Sequence, residues 1–193
     1  FITAPEISQM FGEILGGFLI NYWNQNINKE FNLIELGPGT GTLISDILRV
    51  SNLNKNFLNS MNITLIEKNN VFKIKQKNIL RNFNFQQVNW LKEFNIIKNY
   101  RPSIVYSNEF FDCFPIRQFF KKIKWYEKFI EYNNAQKIFN FSSEEVKNIK
   151  ILKNLEKFDE VKVAEISHSR KKYFESLCKF LKKNKGVFLT VDY

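Results

Sequence analysis

Three glycines at alternate positions, Gly37, Gly39 and Gly41, follow an apolar run ending Glu35-Leu36 and precede a helical stripe of Leu43, Ile44, Ile47 and Leu48. Glycine reaches positive φ without a Cβ clash and lets the main chain approach a ligand. Gly37-Pro38-Gly39-Thr40-Gly41 is therefore a strand-to-helix turn able to cradle the polar part of a nucleoside cofactor on open helix amides, with the Thr40 and Thr42 hydroxyls beside them. The dinucleotide fingerprint places its third glycine one position later, where Thr42 stands, which argues against a nicotinamide or flavin site. A plain structural connection also uses such turns, so the motif needs partners. One is Glu67, which closes a second apolar run at 63–66. An acid at the tip of the second parallel strand lies beside the glycine turn and can accept hydrogen bonds from both ribose hydroxyls, against the plainer reading of a solvent-facing strand end. A second polar cluster, Asn108-Glu109-Phe110-Phe111-Asp112-Cys113-Phe114-Pro115, ends the fourth apolar run at 103–107 and faces the reacting centre of such a site.

These groups need a scaffold. Thr3-Ala4-Pro5-Glu6 reads as a capping box with Pro in the first turn, opening an amphipathic helix that carries Ile7, Met10, Phe11, Ile14, Leu15, Phe18, Leu19 and Tyr22. Gly12 and Gly16 share a face of it, for close packing or for a ligand lying against the helix. Asn24 to Asn32 and Ser51 to Asn62 read as polar loops. Residues 71–80 form a helix, 85–88 a third strand and Asn89-Trp90 the loop after it. Ligands of open α/β sheets gather outside the carboxyl ends of the strands, so Asn89 can meet an adenine there, while Trp90 fits the core better. The period changes to two over 118–141, with a turn at Asn133-Asn134, which predicts a β-hairpin insertion. Ser142 or Ser143 then caps a helix, 161–164 is a small strand, 168–181 a helix and 186–191 a fifth buried strand.

Composition bounds the rest. A chain of 193 residues with 44% hydrophobic content supports one α/β domain with a sizeable core, and no apolar run is long enough to span a bilayer. Cys113 and Cys178 lie far apart without metal-ligand spacing, which fits a reducing compartment, and Cys113 reads as a small buried hydrophobe rather than a nucleophile. The single histidine, His168, reads as a helix-opening or surface residue. A net charge of +10 raises the question of nucleic acid. The lysines are scattered, as on a solvated surface, so nucleic acid is disfavoured.

The two clusters together resemble the MidA-like family of class I S-adenosylmethionine-dependent methyltransferases, whose mitochondrial member is a respiratory complex I assembly factor that methylates an arginine. The resemblance rests on residues 1–13 (Phe-Ile-Thr-Ala-Pro-Glu-Ile-Ser-Gln-Met-Phe-Gly-Glu), 35–43 (Glu-Leu-Gly-Pro-Gly-Thr-Gly-Thr-Leu), 107–119 (Ser-Asn-Glu-Phe-Phe-Asp-Cys-Phe-Pro-Ile-Arg-Gln-Phe) and 191–193 (Val-Asp-Tyr). It implies a Rossmann-like sheet of order 3-2-1-4-5 in a single domain over 1–193, with an insertion at 118–160 and the last two of seven strands absent. That leaves the fifth strand as an uncovered edge of a truncated, marginally stable piece. It further implies S-adenosyl-L-methionine as cofactor, with Glu35 and the glycine turn at its methionine end, Glu67 on its ribose and Asn89 near the adenine. Thr3, Pro5 and Gln9 belong to an N-terminal motif expected to fold over it as a lid.

Asn108, Glu109 and Asp112 are the implied catalytic groups. A methyl sulfonium is already activated, so the protein aligns the nucleophile and excludes water, without metal or covalent intermediate. An arginine nucleophile needs carboxylates to orient its guanidinium, and Glu109 and Asp112 are the pair in place. The plainer reading is that Asn108 and Asp112 cap a helix after the fourth strand. The implied partner is a protein, a respiratory complex I subunit by resemblance, in a bacterial cytoplasm or a mitochondrial matrix. Two other functions stand beside this one: a non-catalytic cofactor-binding assembly factor, and a nucleic-acid methyltransferase. The second is weakened because Asn108 precedes Glu-Phe-Phe rather than the Pro-Pro-aromatic of base-amine enzymes.

Overall fold

The computed structural model describes residues 2–83, 88–94, 97, 100–158 and 160–192. Two compact units emerge, one formed by 1–113 and 174–193, the other by 114–173.

The first unit is built on a five-stranded parallel sheet. Its strands are β1 (Phe31–Leu36), β2 (Met61–Ile66), β3 (Val88–Leu91), β4 (Ser103–Asn108) and β9 (Val187–Val191), in the order β3-β2-β1-β4-β9. This is the expected 3-2-1-4-5 order, with β9 as fifth parallel strand. β1 is buried along its whole length, the pattern of a central strand covered on both faces. The crossovers are α3 (Thr42–Ser51), α4 (Lys55–Ser60) and α5 (Asn70–Leu80). Leu43, Ile44, Ile47 and Leu48 of α3 pack into one core with Leu33, Ile63, Leu65, Ile104 and Tyr106. Trp23, Phe31 and Phe57 close its far end as an aromatic cluster.

The amino-terminal helix is two helices. α1 (Ala4–Ile7) ends at Ser8, whose extended backbone (φ −143°, ψ 120°) breaks the run before α2 (Gln9–Asn26). The capping box does not close, because Thr3 makes no side-chain cap hydrogen bond and Glu6 is engaged elsewhere. Gly12 and Gly16 serve close packing on α3: a Cβ on Gly12 would stand 2.5 Å from the Asp46 Cβ, and one on Gly16 3.2 Å from the Ile47 Cα. Ile7, Met10, Ile14 and Phe18 form a second apolar face, which is exposed.

Other expectations shift. Asn24 to Asn26 continue α2, and 51–62 contains helix α4, where buried Phe57 anchors one turn and Asn54 accepts from the Phe57 N–H. Of the strand expected at 85–88, positions 85–87 lie outside the described residues. Asn89 and Trp90 belong to β3 itself, paired with Thr64 and Leu65, because Val88 and Trp90 alternate onto the core while Asn89 faces out. Cys113 and Cys178 are free and exposed, so Cys113 is no core hydrophobe; its thiol donates to the Phe110 carbonyl. His168 opens α7 (His168–Asn184) and is exposed. No helix of the described residues is long and apolar enough to cross a membrane.

The second unit is an antiparallel sheet of order β7-β6-β5-β8, from β5 (Arg117–Lys121), β6 (Trp125–Asn133), β7 (Ile138–Glu145) and β8 (Val163–Ile166), with helix α6 (Ile149–Leu155). The β6–β7 hairpin is the expected β-hairpin, although the alternation expected over 118–141 begins in β5 and the hairpin runs on to Glu145. Ser142 and Ser143 are strand residues opposite Phe129 and Lys128, and Asn148 caps α6 by accepting from the Lys150 and Ile151 N–H groups. A small core of Phe119, Trp125, Val146, Leu155 and Ala164 holds this unit together.

Candidate functional site

The carboxyl ends of β1 and β4 open onto a cavity of about 500 Å3, within the size range of small-molecule sites. Gly37, Pro38, Gly39 and Thr40 form one wall, and Thr42 and Leu43 continue it into α3. Gly37, Gly39 and Gly41 have φ of 65°, 54° and 91°, the left-handed region that the glycine spacing predicts. Gly41 caps α3 and, being glycine, brings no cap side chain to the first amides of that helix. Gly37 also lets Phe110 approach, because a Cβ there would stand 2.8 Å from the Phe110 ring.

Thr3, Pro5 and Glu6 line the same cavity. The tie is a hydrogen bond from the Thr40 hydroxyl to the Glu6 carboxylate at 2.8 Å, with Thr42 3.0 Å from Thr40. Gln9 is not in the lining; its amide donates to Glu13 along α2.

Glu35 is wholly buried at the end of β1 yet borders the cavity. Burial pushes its carboxyl up to about 8, the hydrogen bond from the Tyr106 phenol works against that rise, and the charge of Glu67 adds to it. Glu67 stands just past β2, buried and outside the lining. Its Oε1 accepts the Asn69 N–H at 2.8 Å and its Oε2 accepts from the Gln76 amide at 3.2 Å. Gly41 and Asn89 are also outside the lining, Asn89 exposed on β3.

Asn108 and Glu109 enter the cavity from the end of β4. The Asn108 Oδ1 is buried and has no hydrogen-bond partner among the described residues, an uncommon state for a buried acceptor. Glu109 has φ +48°, an uncommon conformation for a residue with a Cβ, fixed in part by its N–H donating to the Val191 carbonyl at 2.8 Å. Asp112 is exposed and outside the lining. No described helix follows β4 at 109–116, so neither Asn108 nor Asp112 caps one.

Sequence reasoning missed Phe72, Lys75 and Gln76 of α5, the first two in the lining and the third behind it. Gln76 interrupts the buried stripe that continues at Leu80, and a lone polar residue in such a stripe was the available signal. Glu6, placed by the capping pattern at the start of α1, instead accepts from the Thr40 hydroxyl.

The profile of one protein family, described as "Putative S-adenosyl-L-methionine-dependent methyltransferase", matches residues 14–193. Among curated proteins, the mitochondrial protein arginine methyltransferase NDUFAF7 of Bos taurus is 34% identical over 146 residues, covering 63% of this chain and 32% of that one. The Homo sapiens protein of the same name is 31% identical over 157 residues, covering 68% and 35%. The chain thus spans about a third of the length of these relatives. A crystal structure from Burkholderia thailandensis, bound to S-adenosyl-homocysteine, shares the fold with a TM-score of 0.73 at 21% identity, over 93% of this chain and 46% of that one.

Proposed function

Because the chain belongs to the S-adenosyl-L-methionine-dependent methyltransferase family whose profile covers residues 14–193, we propose that its cavity takes that cofactor and that the protein methylates an arginine of a protein substrate. The observation that carries this reading is one cavity bordered by the glycine turn, the amino-terminal segment and the β4 end, with the unpartnered Asn108 Oδ1 among its walls. The donor set fits the cofactor: open amides and a glycine turn for a carboxylate and ribose, Lys75 as a cation, and Glu6, Glu35 and Glu109 for positive centres.

When bound, the cofactor supplies a methyl carbon already activated by a sulfonium. Everything else falls to the chain. We assign the glycine turn and Glu35 to the methionine end and, from outside the lining, Glu67 to the two ribose hydroxyls and Asn89 to the adenine edge. Thr3 and Pro5 cover the site and keep water out. Asn108 and Glu109 accept hydrogen bonds from the incoming guanidinium, turning one nitrogen toward the methyl and keeping electron density on it. Asp112, exposed and outside the lining, is proposed to give the substrate cation a second carboxylate. The arginine assignment follows the relatives' names, and a respiratory-chain subunit as its bearer follows the family resemblance.

The test is transfer of labelled methyl from S-adenosylmethionine to arginine in a purified candidate substrate by the full-length protein. Glu109→Gln should abolish transfer while leaving cofactor affinity within about twofold. Cofactor binding with no transfer to any arginine-containing partner would favour a non-catalytic assembly role instead.

A further inference from the structure

We infer that Gln76 is a positioning residue, which fixes the Glu67 carboxylate and the glycine turn in register so that the site demands a ribose with both vicinal hydroxyls; this rests on the cofactor reading above. Gln76 has 0% exposure. Its Nε2 donates to the Gly39 carbonyl at 2.7 Å and to the Glu67 Oε2 at 3.2 Å, and its Oε1 accepts from the Trp90 indole N–H at 2.9 Å. One side-chain amide therefore joins the turn after β1, the tip of β2 and strand β3.

Its orientation has no alternative. Flipping the amide would set its oxygen against a carbonyl and a carboxylate, and its two donors against the indole N–H. A buried amide costs free energy unless every donor is used, and here both are, so the network is rigid as well as satisfied. The turn is also packed on this side chain: a Cβ on Gly41 would lie 3.0 Å from the Gln76 Cγ. Glu67 receives one protein donor on each oxygen, Asn69 N–H on Oε1 and Gln76 on Oε2. Each oxygen keeps a lone pair, which makes two acceptors for a pair of adjacent hydroxyls.

The readout is a ratio. Calorimetry on the full-length protein gives the affinities of S-adenosyl-homocysteine and of its 2′,3′-dideoxyribose analogue. Wild type is expected to prefer the diol by about tenfold or more, because the analogue leaves buried acceptors unpaired. Gln76→Leu is expected to bring that preference below about threefold, mainly by weakening the diol ligand. Gln76→Glu, which conserves shape but sets a second carboxylate against Glu67, is expected to do the same. Equal weakening of both ligands, or failure of both variants to fold, would make Gln76 a purely structural residue and overturn the inference. A wild type indifferent to the hydroxyls would also overturn it, together with the role of Glu67. A wild type that binds neither ligand removes the cofactor reading itself.

Discussion

Tyr106 and Glu35 are register partners on adjacent parallel strands, and the Tyr106 phenol donates a 2.9 Å hydrogen bond to the Glu35 carboxyl Oε2. Both are wholly buried. Burial, the partner's charge and the shared hydrogen bond all push the Tyr106 phenol above its ordinary value, so it stays a donor. Glu35, raised to about 8, holds its proton at neutral pH. The motif acid is thus a neutral carboxylic acid at neutral pH.

Stability should record that proton. Folded Glu35 keeps it to about pH 8, whereas the unfolded group loses it near 4.5. Between these values the unfolded chain binds fewer protons, so stability falls as pH rises, by up to about 1.4 kcal/mol per unit for this group. Glu35→Gln carries no such dependence. Urea midpoints between pH 5 and 8.5 should show wild type losing ground to the variant as pH increases, and a difference flat in pH would refute the assignment.

Ligand binding should expel the same proton. A cationic ligand in a cavity bordered by Glu35 favours the carboxylate, so binding S-adenosylmethionine at pH 7 is expected to release up to about one proton. Calorimetric enthalpies in buffers of different ionisation enthalpy count it. Glu35→Gln should bind without release; an unchanged proton count in the variant would place the titrating group elsewhere.

Two glycines of α2 should respond with opposite signs. Gly17 has no neighbour within 4 Å of a would-be Cβ, so Gly17→Ala gains helix propensity and is expected to stabilise by up to about 1 kcal/mol. Gly12→Ala gains the same propensity but drives a methyl against Asp46, and is expected to destabilise by about 1–3 kcal/mol. Chemical denaturation of the two single variants decides it. Stabilisation by Gly12→Ala would mean that α2 and α3 are not pressed together there.

The glycine turn and the central strands were legible because Phe31–Leu36 and the 63–66 part of Met61–Ile66 read as mainly apolar runs bracketed by turn residues, whereas the sheet order came from the family resemblance. Helix α4 was not legible, since Lys55–Ser60 offers only Phe57 and the half-buried Leu58 to the core and its cap sits in a polar stretch. The break at Ser8 escaped because Thr3-Ala4-Pro5-Glu6 satisfies the capping pattern locally, while the Thr40 hydroxyl, thirty-four positions away, takes Glu6 instead. The same limit hid Lys75 and Gln76. Their helix carries an ordinary amphipathic pattern, and what brings them to the site is the crossover between β2 and β3, a long-range pairing that no local window contains.

Glu109 combines a backbone strain with a polar task, and the two can be separated. At φ +48° a side chain costs about 1 kcal/mol or more that glycine does not incur, so Glu109→Gly is expected to raise the unfolding free energy by about that amount even though it deletes a carboxylate. The same variant removes the group proposed to hold the substrate nitrogen, and methyl transfer should fall by about a hundredfold or more while cofactor affinity is retained. Denaturant midpoints and transfer assays on one preparation give both numbers. A variant that is less stable than wild type would mean that the Glu109 side chain supports the fold, and a variant that is more stable yet equally active would mean that the strain serves something other than transfer.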